Sequence, residues 1–450
     1  MTTPTIDVQN FLDESPLTRF QILVILLCFL TVAADGFDTA AIGFIAPTLR
    51  VQWQLQPAQL APLFASGLFG LMAGALVFGP LADRVGRKWV LVLTTLGFGI
   101  ASIASAKAAS VESLTVWRFV TGIGLGGAMP TAITLTSEFC PSRKRSLLVT
   151  MMFCGFAIGS AVGGLAAAGI IASHGWQGVL VLGGVLPVLL SAVLAGLLSE
   201  SVRYLALRGG QDERIAAILS RVRPDPALAG ARFTGARKAA GSPVRQLFAP
   251  GLAVGTILLW ICFFIILLIF YLLTSWLPTL LNGSGRTAQE ATLISLMFPV
   301  GSTVGAVAVG ALMDRLNPYA VLVGSYLLAA CLIASLGAAT GSPSLFVLAV
   351  FGAGVGTGGS LVGVNALAAS FYPTASRATG VSWANALGRA GSIVGSLIGG
   401  TLLSMGWPLS AVFAVAAAPA VVAAASLSMM AMMARRQAPV LAMVGEQAPT

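Results

Sequence analysis

The feature that most limits what this chain can become is a series of long apolar runs separated by short polar breaks. About 20 apolar residues in a helix cross the ~30 Å hydrocarbon core of a bilayer. Twelve such runs can be read, at residues 20–49, 58–82, 89–106, 113–138, 146–172, 178–198, 251–281, 288–312, 319–339, 344–370, 378–402 and 408–434. In lipid, each backbone N–H and C=O must find its partner inside the segment, so the runs are helices. Charged residues make up only 9% of the chain, against roughly 25% in a soluble protein. That is too little polar surface to cover a water-soluble globule. The fold class is an all-α membrane protein whose immediate partner is the lipid bilayer.

The net charge of +10 invites a nucleic-acid reading, but its distribution argues against one. With loops alternating sides from an inside N-terminus, 20 of the 25 Lys and Arg fall on one face. Arg50, Lys107 and Arg286 lie in loops on the other face, and Arg118 and Arg389 lie within spans. Basic residues retained on the cytoplasmic side produce this asymmetry. The expectation is a bacterial inner-membrane protein, both termini cytoplasmic, with no nucleic-acid partner. Residues 1–18 carry Asp7, Asp13 and Glu14 and no cleavage site follows the first run, so that run is expected to be retained. Cys28, Cys140, Cys154, Cys262 and Cys331 stand singly, with no spacing for a metal site or a disulfide framework. His174, in an outer loop, reads as solvated.

One long polar segment, residues 199–250, divides the spans into two sets of six. The expected organisation is a cytoplasmic N-terminal segment (1–19), a six-helix bundle (20–198), a cytoplasmic linker with one short helix (199–250), a second six-helix bundle (251–434) and a cytoplasmic tail (435–450). The two sets repeat each other. Pro47 matches Pro278 and Asp83-Arg84 matches Asp314-Arg315, both at an offset of 231. Gly122-x-Gly124-x-Gly126-Gly127 matches Gly354-x-Gly356-x-Gly358-Gly359, and Phe139-x-Pro141-x-x-x-Arg145 matches Phe371-x-Pro373-x-x-x-Arg377, both at 232. A parallel repeat of this kind is a transporter architecture, with substrate expected near the midplane between the halves. Glycine pairs at small-xxx-small spacing, Gly155/Gly159/Gly163 and Gly391/Gly395/Gly399, allow close helix approach.

Residues that break the repeat are the better candidates for chemistry. Span 1 carries Asp35-Gly36-Phe37-Asp38 where span 7 has Ile266 and Ile269, and span 4 carries Arg118 where span 10 has Val350. A charge at mid-bilayer depth costs at least ~2.5–3.5 kcal/mol and usually faces a cavity or a partner. Asp35 and Asp38 read as proton carriers, since movement between a desolvated site and one beside an arginine loads and releases a proton. The competing reading is a structural pair of Asp38 with Arg118. Arg389, near the centre of span 11, offers a planar fork to a carboxylate; Arg118 is the second candidate. Glu138 reads either as a gating or proton-exit group or as a surface partner of Arg143 to Arg145. Asn365 and Asn385 are candidates for ring hydroxyls, and Phe37, Phe44 and Trp383 for ring stacking. No Walker-type loop and no strand-led glycine motif occurs, so no enzyme chemistry is read.

The stretch Gly79-Pro-Leu-Ala-Asp83-Arg84-Val-Gly86-Arg87-Lys88 resembles the signature loop of the major facilitator superfamily. In that loop Asp83 is expected to latch a helix N-terminus of the opposite half. Asp35-Gly-Phe-Asp38, Arg118 through Pro130, Ser137-Glu138-Phe-Cys-Pro141 and Tyr372 through Arg389 further resemble the aromatic acid:proton symporter family. The resemblance implies roles in transport for Asp35, Asp38, Asp83, Arg118, Glu138, Asp314, Arg377 and Arg389, with Gly79, Arg84, Gly86, Arg87 and Arg315 in gating. It implies benzoate, hydroxybenzoates, protocatechuate, gentisate or, outside aromatics, muconate as substrate. It also implies symport with a proton, no cofactor beyond that coupling ion, and function as a monomer. A transporter of another small organic anion such as a shikimate-like acid, or a proton/drug antiporter, is the alternative. Ser199-Glu200-Ser201-Val202-Arg203 lacks the prolines of the commoner Pro-Glu-Ser-Pro-Arg form, and Ser396 stands where proline is frequent.

Overall fold

A computed structural model describes residues 5–235, 244–339, 342–373 and 376–445. Parts of the expected N-terminal segment (1–4), linker (236–243, with Arg237 and Lys238) and tail (446–450) lie outside the described residues. The chain forms two compact units, residues 1–55 with 62–238 and residues 56–61 with 239–450.

The first unit contains β1 (Thr5–Asp7), α1 (Val8–Glu14), α2 (Arg19–Gln52), α3 (Pro57–Val85) from residue 62 onward, α4 (Arg87–Ser105), α5 (Val111–Phe139), α6 (Arg145–Leu197), α7 (Val202–Arg208), α8 (Asp212–Ser220) and β2 (Arg232–Thr234). The second contains α9 (Ala253–Gly283), α10 (Ala288–Ser295), α11 (Met297–Met313), α12 (Pro318–Leu336), α13 (Pro343–Phe371), α14 (Arg377–Ser404) and α15 (Leu409–Gly445). Among the described residues, 11 helices are long and apolar enough to cross a membrane. The longest, α6, is interrupted at Gly175 (φ 65°, ψ −174°), a backbone conformation open to glycine. The break separates two spans, and the twelve read from sequence are recovered.

Three details differ from expectation. The predicted span 288–312 is two helices, α10 and α11, meeting at Leu296. Pro299 has no N–H for the carbonyl of Ser295, which ends the first of them. Among its described residues the linker holds two short α-helices rather than one; Ser201 starts α7 by accepting from the Tyr204 N–H. The N-terminal segment is folded as well. Thr5, Ile6 and Asp7 pair in parallel with Arg232, Phe233 and Thr234. Helix α1 buries Val8, Phe11 and Leu12, the i, i+3, i+4 face of a short amphipathic helix.

Packing inside each unit follows the glycines. A Cβ added at Gly159 would fall on the Ala33 carbonyl oxygen, which puts α6 in backbone contact with α2. In the second unit Gly391 of α14 meets the Phe264 carbonyl oxygen of α9 in the same way. Helices α3 and α5 touch at Gly70 with Phe119, Gly74 with Ile123 and Gly122 with Gly67. Helices α11 and α13 touch at Gly301 with Phe351, Gly305 with Val355 and Gly354 with Phe298. Every one of these contacts recurs at the 231–232 offset, so the repeat extends from sequence to the contacts themselves.

Candidate functional site

Asp38 lies on α2 and is 1% exposed. Arg118 on α5, 3% exposed, grips it with both terminal guanidinium nitrogens, Nη1 to Oδ1 at 3.0 Å and Nη2 to Oδ2 at 2.8 Å. Nη2 also donates to the Asp38 carbonyl at 3.3 Å. From α4, the Ser102 hydroxyl donates to Oδ1 at 3.0 Å. Three helices therefore converge on one carboxylate with two-point, charge-assisted bonds. Asp35, one turn earlier and also 1% exposed, accepts from the Thr39 hydroxyl at 3.1 Å. The acid segment sits at one of the close approaches of α2 and α6, where a Cβ at Gly36 would fall on the Phe156 carbonyl oxygen. The repeat counterparts Ile266, Ile269 and Val350 are fully buried and apolar, so this charged cluster belongs to the first unit.

A second network lies at the ends of α3, α4 and α5, on the face of the basic loops. Arg87, 4% exposed, binds Asp83 at 2.7 Å and has its Nε 3.4 Å from Glu138. Glu138 is buried and accepts from the Ser201 hydroxyl at 2.6 Å. The surface pairing of Glu138 with Arg143 to Arg145 is thereby replaced: its partners are Arg87 and Ser201. Glu200 completes the group. Its Oε1 accepts from the N–H groups of Arg87 (2.8 Å), Lys88 (3.1 Å) and Ser201 (2.9 Å), placing an anion at the α4 N-terminus. Gly86, at φ 114°, lets the chain turn there, and any side chain would strike the Glu200 carboxylate. Tyr204 donates to the Arg84 carbonyl at 3.0 Å, and the Arg87 guanidinium stands 5.1 Å over its ring. Sequence reasoning missed Glu200, Ser201 and Tyr204; the acid flanked by serines just after span 6 was the signal available.

In the second unit, Arg389 on α14 donates to the Tyr271 hydroxyl of α9 at 3.3 Å. Asn385, one turn earlier, donates to Asn365 Oδ1 of α13 at 3.3 Å. Arg389, Tyr271, Asn385 and Asn365 thus form one polar strip within this unit. Trp383 is elsewhere: its ring stacks on Trp260 at 6.1 Å, on a face of α14 turned away from Asn385 and Arg389. Phe37 is buried, its ring against Gly183, which is packing within the first unit. Gly79 has open space at its Cβ position, and Asp314, Arg315 and Arg377 are exposed at helix ends. Outside the spans, burial pushes the Cys140 thiol up to about 11, so it is an inert apolar packing group.

A membrane-embedded repeat of six helices and six, with buried charge confined to selected helices, is the architecture of a transporter rather than an enzyme. The sequence matches the family profile described as Major Facilitator Superfamily over residues 28–336 and 259–444. A 4-hydroxybenzoate transporter of Pseudomonas putida is 46% identical over 422 residues, covering 93% of this chain and 94% of its own. A gallate transporter of the same species is 45% identical over 424 residues, 94% of each chain. In fold, the inward-open xylose transporter of Escherichia coli superposes with a TM-score of 0.72 at 18% identity, over 90% of this chain and 95% of that one. The chain belongs to the Major Facilitator Superfamily, as its signature loop implies.

Proposed function

We propose that this chain carries a small aromatic carboxylate of the hydroxybenzoate class into the bacterial cell together with protons, by alternating access across the inner membrane. The observation that carries the reading is 45–46% identity, over nearly the full length, to transporters named for 4-hydroxybenzoate and gallate. Both compounds join a carboxylate to a hydroxylated ring. The polar strip of the second unit suits that chemistry: Arg389 for the carboxylate, the Asn365–Asn385 pair and Tyr271 for ring hydroxyls.

The acids of α2 supply the coupling. Taking a proton on Asp38 would cost it the two-point bond to Arg118, so Asp38 holds the helices together and Asp35 loads the proton. Binding of proton and anion together cancels buried charge and permits the change of state.

The test is uptake of labelled 4-hydroxybenzoate into proteoliposomes containing the purified protein. An imposed gradient, acid outside, is expected to drive accumulation severalfold above equilibration, and Asp35→Asn to remove the accumulation. Uptake that ignores the gradient and this substitution overturns proton coupling. Failure of unlabelled gallate and benzoate to compete, with competition by muconate, overturns the aromatic class.

A further inference from the structure

The charged network at the α4 N-terminus borders a cleft of about 710 Å³ that the transport reading does not use. It lies wholly within the first unit, between the start of α4, the end of α6 and helices α7 and α8. Lys88, Arg208, Arg214 and Arg221 line it, against one acid, Glu200, whose Oε1 is already committed to three backbone N–H groups. None of the four cations joins an ion pair among the described residues. Arg208 donates to the Tyr204 hydroxyl at 3.1 Å, Arg214 to the Gln211 amide oxygen at 3.1 Å and Arg221 to the Ser199 hydroxyl at 3.3 Å. Four positive groups whose hydrogen-bond partners are neutral keep donors for the charge-assisted bonds that an anion makes.

The walls say what kind of anion. Val85, Trp89 and Leu197 also line the cleft and are about half exposed. From there an exposed apolar flank runs along two neighbouring helices, through Leu93 on α4 and through Val193 and Leu189 on α6. These positions recur every turn or two on spans that cross the membrane, so the flank faces hydrocarbon. Trp89 sits at the junction, where indole rings mark the headgroup depth. A soluble anion would use the cations and leave the flank idle. A ligand with a phosphate and acyl chains uses both.

We infer that this cleft is a binding site for an anionic glycerophospholipid, its phosphate diester held by Lys88, Arg208, Arg214 and Arg221 and its chains laid along α4 and the second half of α6. Basic pockets beside spans on the cytoplasmic side take such headgroups, and each cation near the membrane surface contributes about 1 kcal/mol. That is about fivefold in affinity per cation.

The experiment is thermal unfolding of the full chain in detergent, titrated with dioleoyl phosphatidylglycerol. Dioleoyl phosphatidylcholine tests the charge, and inorganic phosphate and glycerophosphoglycerol test the need for acyl chains. Phosphatidylglycerol is expected to raise Tm saturably, while the other three do not at the same concentration. Arg208→Gln/Arg214→Gln/Arg221→Gln is expected to weaken the apparent affinity about a hundredfold. Arg221 also stacks on Phe20 at 4.2 Å, so the triple variant risks its own fold. Arg214→Gln, on the exposed face of α8, then decides alone, with about a fivefold loss. Equal shifts with phosphatidylcholine, an unchanged response in Arg214→Gln, or a full shift with phosphate alone each overturns the assignment.

Discussion

Asp38 and Arg118 each take a full charge into a setting almost without water, 1% and 3% exposed. Such a pair adds little net stability compared with apolar side chains of the same size, because desolvation offsets the attraction. Removing one partner is a different matter, since it strands the other charge. Asp38→Ala or Arg118→Ala is expected to lower stability by about 3–5 kcal/mol, read as a drop in Tm of the purified protein. The double variant Asp38→Ala/Arg118→Leu is expected to recover most of that loss. A double variant as unstable as either single one would show that the site is held by something other than this pair. Both residues were legible in the sequence because the repeat supplies its own control: Ile269 and Val350 show what the scaffold requires at those places. Ser102 was not legible. A serine in an apolar span ordinarily bonds its own helix, and only the geometry brings its hydroxyl to Asp38.

Among the elements, the N-terminal hook of β1 and α1 is the one the sequence concealed. Its seven-residue helix has too few apolar positions to stand out, and its partners are distant in sequence: Phe233 and Arg223 in the linker, Ser142 after α5. Asp13 fastens it, accepting from the Ser142 N–H at 2.7 Å and hydroxyl at 2.8 Å. Partial burial raises the Asp13 pKa, but the bonds from Ser142 and Gln9 outweigh it and hold the carboxyl below the usual range. A carboxylate with a depressed folded pKa contributes stability that is present above its unfolded pKa and lost as pH falls through the folded one. Docking is therefore expected to be constant from about pH 8 to pH 5 and to weaken only below about pH 4. Hydrogen exchange of residues 5–14, corrected for intrinsic rates, checks this. Asp13→Asn is expected to raise that exchange across the whole neutral range. A hook that loosens between pH 7 and pH 5 in the unsubstituted chain would mean that another group fastens it. The same distance in sequence hid Glu200, whose role depends on the α4 N-terminus more than a hundred residues earlier.

At the scale of the molecule, most of the fold was legible because one device is used twice. The apolar runs gave the spans, and the matched motifs gave the duplication. What the sequence could not give was whether matched glycines make matched contacts, since equal spacing is compatible with different helix faces. The contacts do match: Gly159 lies on the Ala33 carbonyl in one unit and Gly391 on the Phe264 carbonyl in the other. A methyl group at either place meets backbone, which cannot yield as a flexible side chain would. Gly159→Ala and Gly391→Ala are each expected to destabilise by about 1–3 kcal/mol through overpacking. Gly169 in α6 and Gly324 in α12 have open space at the same atom. There alanine is expected to be neutral or to stabilise by up to about 1 kcal/mol, through helix propensity alone. The four single variants, compared by thermal unfolding of the full chain, separate glycines that set helix approach from glycines that merely occupy a helix. Matching losses at Gly159 and Gly391 would show that the two units rest on one packing rule. A loss at one and none at the other would show that the matched contacts do not carry matched energies, and the two units would then rest on different supports.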